Sequence, residues 1–174
     1  MRELVLYFCT VSEADDSFGS VKLNKLLFYS DFLAYSHRGV SITGQEYQKL
    51  KNGPAPRLML PLLKNMQEEQ QLVIADRHYY GLLQKKPVAL REANLSGFSP
   101  EEIALVDYVL RIFHQHNGTE ISDFSHKFLG WQLAEEGEAI PYGSALLRRG
   151  ELSAQERRWA QELDMTGVEG LLCA

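Results

Sequence analysis

The sequence predicts an α+β fold, predominantly helical, in a single domain with a small two- or three-stranded antiparallel sheet. Three observations carry that reading. Residues 21–38 (VKLNKLLFYSDFLAYSHR) are apolar around most of a helical wheel, and residues 99–102 (SPEE) spell a complete helix start. Between them, residues 72–90 change to short β-prone runs. The length of 174 residues suits one domain. A chain of that size buries roughly 70% of the surface its unfolded form exposes, so stability requires neither a metal nor a disulfide.

Leu4, Tyr7, Phe8 and Val11 recur at helical spacing in the first twelve residues, a short amphipathic helix expected to pack on the next one. The acidic loop SEADDSFGS separates the two. In residues 21–38, at about 100° per residue, Leu23, Leu26, Leu27, Leu33 and Ala34 share one face, while Phe28, Phe32 and Tyr35 fall nearly opposite. Two polar stripes run between: Asn24, Asp31 and Arg38 on one side, Lys22, Lys25, Tyr29 and Ser36 on the other. A helix apolar on two faces is an interior helix. Ser20 is the expected N-cap, and Arg38-Gly39, a basic last turn followed by glycine, the expected end.

VSITGQEYQKL then reads as a turn and a brief helical turn. KNGPAPR, residues 51–57, is expected to be irregular, because Asn-Gly is turn chemistry and each proline pushes its predecessor towards an extended conformation. RLMLPLLKNMQEEQ is expected to be helical with Leu58, Leu62 and Met66 on one face, Pro61 lying within its first turn. LVIAD, YYGLL and PVALR are strand-like runs, with breaks expected at Arg77-His78, Gly81 and Lys85-Lys86-Pro87. Ser99 caps the next helix, with Pro100 at N1, Glu102 completing a capping box, and Ile103, Val106, Leu110 and Phe113 facing inward. Asn117-Gly118 ends it, and Thr119 is read as the cap of ISDFSHKF, where Ile121, Phe124, Ser125 and Phe128 share a face. GWQLAEEGE and SALLRRG are read as short helical pieces about the break at IPY. A polar helix, residues 153–164, follows, anchored by Trp159 and Leu163, and residues 165–174 form an apolar tail read as a frayed end. A sharper reading makes that tail a recognition end for a AAA+ protease.

Hydrophobic residues at 45% and charged residues at 24% are those of a soluble globular protein, and the net charge of −5 argues against an extensive DNA-binding surface. Only Cys9 and Cys173 are present, in no metal-ligand spacing, so a reducing cytoplasm is the expected location. Neither a signal peptide nor a membrane span is read, and no cofactor is expected. No phosphate-binding glycine loop and no G-x-S-x-G occurs. His114 and His116 point apart on a helix and suit its last turn. Asp123, Ser125 and His126 lie too close on one helix to form a triad, and Glu135, Glu136 and Glu138 read as a solvated run. The aromatic stripe of the long helix reads as core, and alternatively as a groove for a partner.

K-L-N-K-L-L-F-Y-S-D (residues 22–31), K-x-G-P-x-P-R (51–57), I-S-D-F-S-H (121–126) and G-W-x-x-A-x-x-G-E-x-I-P-Y (130–142) together resemble the Panacea domain, the SocA-like antitoxin domain formerly known as a phage-associated domain of unknown function. The resemblance covers about residues 1–147 of a domain read as 1–174, with the polar helix outside it. It implies a mostly helical domain with a small sheet that neutralises a cognate protein toxin by binding it. In some members it implies delivery of that toxin to a AAA+ protease. It supplies no catalytic residues, and it leaves the toxin and the oligomeric state open.

The residues expected to form the partner surface or its immediate support are Lys22, Lys25, Tyr29, Asn52, Arg57, His126 and Trp131. The edge bearing Lys22, Lys25 and Tyr29 is expected to meet the 51–57 loop and to reach solvent. The rival reading is a small hydrolase, with His126 and Glu138 converging on a pocket beside Gly53 and Pro54.

Overall fold

The computed structural model describes residues 1–147, so the expected helix at 153–164, the apolar tail and the end of SALLRRG lie outside the described residues. The long helix α2 (Ser20–Arg38) is the centre of the fold, preceded by α1 (Arg2–Val11). Its two apolar faces are real and serve two separate cores. Leu23, Leu26 and Leu27 pack with Leu4 and Phe8 of α1 in a large aliphatic core, and Phe28 and Phe32 belong to a smaller aromatic one with Tyr47 and Ile140. Such burial removes each side chain from water at a gain of about 1.5–3 kcal/mol. The N-cap is Gly19 and not Ser20, whose hydroxyl instead donates to Lys85 O at 3.0 Å. Gly39 adopts φ 72° as expected, and its N–H donates to Tyr35 O. In α1 the expected Val11 is exposed, while Val5, Leu6 and Cys9 are buried.

The segment read as a brief helical turn forms β1 (Tyr47–Gln48), and the irregular loop contains β2 (Ala55–Pro56). The cause is Asp31. Its buried carboxylate accepts hydrogen bonds from the amides of Ile42 and Thr43 at 2.9 and 2.7 Å, from the Thr43 hydroxyl, and from Tyr47 Oη at 2.7 Å. A buried carboxylate demands such partners, and they fix the bend at residues 42–43 and hold Tyr47 at the start of β1. β1 pairs antiparallel with β2 through Tyr47↔Pro56.

Next comes α3 (Met59–Glu68), which buries Met59, Leu63 and Met66; Leu58 of the expected face is exposed. β3 (Leu72–Tyr79) and β4 (Leu82–Ala89) form one uninterrupted hairpin, from Leu72↔Ala89 to Tyr79↔Leu82. Only Tyr80-Gly81 breaks it, both with positive φ (46° and 78°), as a type I′ turn requires. With a two-residue loop, Tyr79 and Leu82 form a hydrogen-bonded pair, and from the next pair, His78 and Leu83, every second pair has its N–H and C=O groups facing outward. Pro87 falls on an outward position, where no ladder bond is lost, so the strand runs through the expected break.

Then α4 (Pro100–Phe113) starts with the predicted capping box between Ser99 and Glu102 and buries Val106, Val109 and Phe113. For α5 (Gly118–Ser125) the cap is Asn117, paired reciprocally with Glu120, rather than Thr119; its Phe124 is exposed. α6 (Leu129–Leu133) is a single turn, shorter than expected. β5 (Ala139–Ile140), unforeseen, joins the other side of β1 to give the sheet order β2-β1-β5, and a 3-10 turn at Tyr142–Leu146 closes the described chain. The result is one α+β fold, mainly helical, with antiparallel sheets of three and two strands among the described residues.

Candidate functional site: a groove beneath the hairpin tip

The sequence around the hairpin turn, YYGLL, is apolar and aromatic where a turn is ordinarily polar, and the structure leaves it in solvent. Tyr80 is 90% exposed, Leu82 70% and Leu83 60%. Beneath this tip runs an open groove of about 800 Å³. It is lined by the start of α2, from Gly19 to Lys22, and by the first turns of α5, including Ser122, with Gly118 close against Val21. Lys51, Asn52 and His126 complete the floor and far end. Gly19 matters here because a Cβ on it would come within 2.6 Å of Gln84 Cγ, so glycine lets β4 approach α2 closely.

Of the seven residues expected at the partner surface, Lys22, Asn52 and His126 are brought to this groove. Lys22 is only 2% exposed. Its ammonium donates to Asp15 Oδ2 at 2.7 Å, Ser17 Oγ at 3.1 Å and His114 O at 3.3 Å. Burial raises the Asp15 carboxyl, but bonds from Lys22 and Ser17 outweigh it, so the carboxyl titrates below its ordinary value. Asn52 is exposed, and its carbonyl accepts from Ser122 Oγ at 2.7 Å, which ties the 51–57 loop to α5. His126 stacks on Trp131 at 4.2 Å, with Nε2 buried and unpartnered among the described residues. Trp131 supports it from behind, its indole N–H donating to Leu50 O and Lys49 Nζ lying over the ring at 4.3 Å.

The other expected residues serve elsewhere. Lys25 is 1% exposed, and its one hydrogen bond goes to Pro54 O at 2.9 Å. Burial pushes its ammonium down to about 7. Gly53, at φ 91°, sits against it: a Cβ there would overlap Ser125 Oγ and approach Lys25 Cε to 2.6 Å. Tyr29 is half-buried, stacked on Phe113 at 4.7 Å, and burial raises its phenol. Of this edge, Lys25 meets the 51–57 loop through Pro54 O, while Lys22 turns to Asp15, Ser17 and His114 and Tyr29 to Phe113. The two ammonium groups are buried and not presented to solvent as expected, because each finds its acceptors inside the protein. Arg57 stays at the surface, paired with Glu46 and donating to Gly137 O at 3.1 Å, outside the groove.

His126 and Glu138 do not share this groove. The Glu138 carboxylate is exposed and accepts from the Glu135 amide at 2.6 Å, while the His126 ring is held against Trp131. Among the described residues no group of three or more His, Cys, Asp or Glu is placed to hold a metal ion. No helix of the described residues is long and apolar enough to cross a membrane. Sequence reasoning missed the exposed tip Tyr80, Leu82 and Leu83, although its one legible sign, apolar residues flanking a glycine turn, is in the sequence. It also missed Asp31 as the organiser of the 42–47 segment.

The family model for the SocA-like antitoxin, Panacea domain, matches residues 23–132, well over half of the chain. The chain belongs to this family. The matched span begins on α2 and ends on α6, so it takes in the hairpin, the 51–57 loop and α5. No curated protein and no solved structure matches the chain.

Proposed function

We propose that this Panacea-domain protein is an antitoxin that neutralises a cognate protein toxin by direct, non-catalytic binding, with the hairpin tip and the groove beneath it as the contact surface. The observation that carries this is the exposure of Tyr80, Leu82 and Leu83 together over one open groove. Clustered exposed apolar groups mark interaction sites, and tyrosine is among the commonest interface anchors. Lys51 and Asn52, both exposed and lining the groove, offer hydrogen-bonding groups for orientation. Glu138 is not among the residues lining the groove that His126 reaches, so the binding reading is preferred to the hydrolytic one. The encounter takes place in the cytoplasm.

The test is co-expression with the product of the adjacent reading frame under a tightly repressed promoter. Restored growth and copurification of the two proteins are expected, and Tyr80→Ala is expected to weaken binding by about tenfold or more. An adjacent product that is not toxic, or that this protein neither restrains nor copurifies with, overturns the antitoxin reading. Whether the complex is handed to a AAA+ protease is read from the toxin's half-life, which delivery shortens and simple sequestration leaves unchanged.

A further inference from the structure

The two edges of the β3–β4 hairpin are treated differently. On β4 the outward positions are Leu83, Lys85 and Pro87. Lys85 O accepts from Ser20 Oγ at the start of α2, and Pro87 has no N–H to offer, so that edge is closed to pairing. On β3 the outward positions beyond the buried Leu72 are Ile74, Asp76 and His78, and no backbone or side-chain group of the described residues bonds to their N–H or C=O. The strand contains no proline and no lysine, and its charged residues are Asp76, held across the sheet by Lys85, and Arg77; Asp76, Arg77 and His78 are exposed. Asp76 turns its carboxylate across the sheet to Lys85 Nζ at 2.6 Å, leaving its backbone free.

Three outward amide and carbonyl sets at a two-residue pitch match one kind of partner, an extended backbone. A helix cannot supply the match, because its own groups are bonded internally. Side chains beside the edge set the composition. Val73 is exposed, and Arg77 is exposed with no ion pair among the described residues, both on the same face. We propose that the toxin docks by strand addition, an extended segment of it pairing with the outer edge of β3 and carrying an apolar residue beside Val73 and an acidic one beside Arg77. This rests on the antitoxin reading and names the surface that reading uses: the added strand runs along the hairpin towards the Tyr80 tip.

Asp76→Pro removes one outward N–H without touching the ladder, as Pro87 does on β4, and Asp76→Ala controls for the lost ion pair. In the free protein the amides of Ile74, Asp76 and His78 are expected to exchange with deuterium at least about tenfold faster than the inward amides of Ala75 and Arg77. Protection of the outward amides there means that residues 148–174 or a second copy already occupies the edge, and overturns the proposal. With the adjacent frame's product bound, the three amides are expected to gain protection. Asp76→Pro is expected to bind at least about tenfold more weakly, and Asp76→Ala within about threefold of the parent. Unchanged protection in the complex overturns strand addition even where the proline variant fails to fold. If Tyr80→Ala loses binding while Asp76→Pro keeps it, the antitoxin reading stands without strand addition. If the parent protein does not bind the product at all, the antitoxin reading fails. The edge is then judged with displayed random twelve-residue peptides: enriched peptides lost on Asp76→Pro support it, and no enrichment overturns it.

Discussion

Lys25 is a buried ammonium with one carbonyl acceptor, Pro54 O, and burial brings it from 10.5 to about 7. The folded chain therefore releases this proton before the unfolded chain does. Between about pH 7 and 10.5 the unfolded state holds more protons, and stability rises with pH. Below pH 7 both states carry the charge and the desolvation cost is felt in full. Thermal melts of the parent at fixed ionic strength are expected to rise from pH 7 to pH 9, and Lys25→Met is expected to flatten that rise. A variant that keeps the slope assigns it to another group. The sequence placed Lys25 and Lys22 on one stripe but misread that stripe as solvent-facing. The acceptors that make burial tolerable, Asp15, His114 O and Pro54 O, lie outside the helix that carries the lysines. The same blindness hid Asp31, whose donors come from residues 42–47 and from Tyr142.

The hairpin is the element on which function is argued. A type I′ turn favours Asn-Gly, and tyrosine at φ 46° costs about 1 kcal/mol or more relative to the best residues for that position. Tyr80→Asn is therefore expected to raise the melting temperature by about 2–4 °C, and to weaken toxin binding about tenfold or more because the exposed ring is gone. Calorimetry and a binding titration read the two effects. A variant that gains stability and keeps affinity removes Tyr80 from the contact surface. The element was half legible. Its strand character and glycine turn are written in residues 72–90, but Lys85-Lys86-Pro87 read as a break, since which N–H groups face the ladder is set by the pairing register. The start of α4 was legible, because a capping box is closed by residues three apart: Ser99-Pro100-Glu101-Glu102 was read correctly, whereas the caps of α2 and α5 were not. At α5 the same chemistry was present two residues earlier than expected, on Asn117.

At the scale of the whole molecule, α2 is the shared wall of both cores. Leu27 and Phe28 are adjacent in sequence, both 0% exposed, and project about 100° apart around the helix into different cores. Leu27→Ala and Phe28→Ala are each expected to destabilise by about 3 kcal/mol. Both variants are expected to unfold in one transition, since neither core survives without the helix. Coincident denaturant curves from near- and far-ultraviolet circular dichroism test this. A separate early transition in Phe28→Ala would make the aromatic core an independent unit.

The amino-acid sequence by itself determined the α+β class, the two-faced organising helix, its glycine end, the SPEE helix start and the family. Each rests on periodicity or on groups within a few residues of one another. Only the tertiary structure decided that the lysine edge is sealed, that Asp31 holds β1 in place, and that the YYGLL turn stands exposed over a groove beside a bare β3 edge. Those depend on which distant carbonyls, amides and walls the folded chain brings together, and no local pattern encodes that.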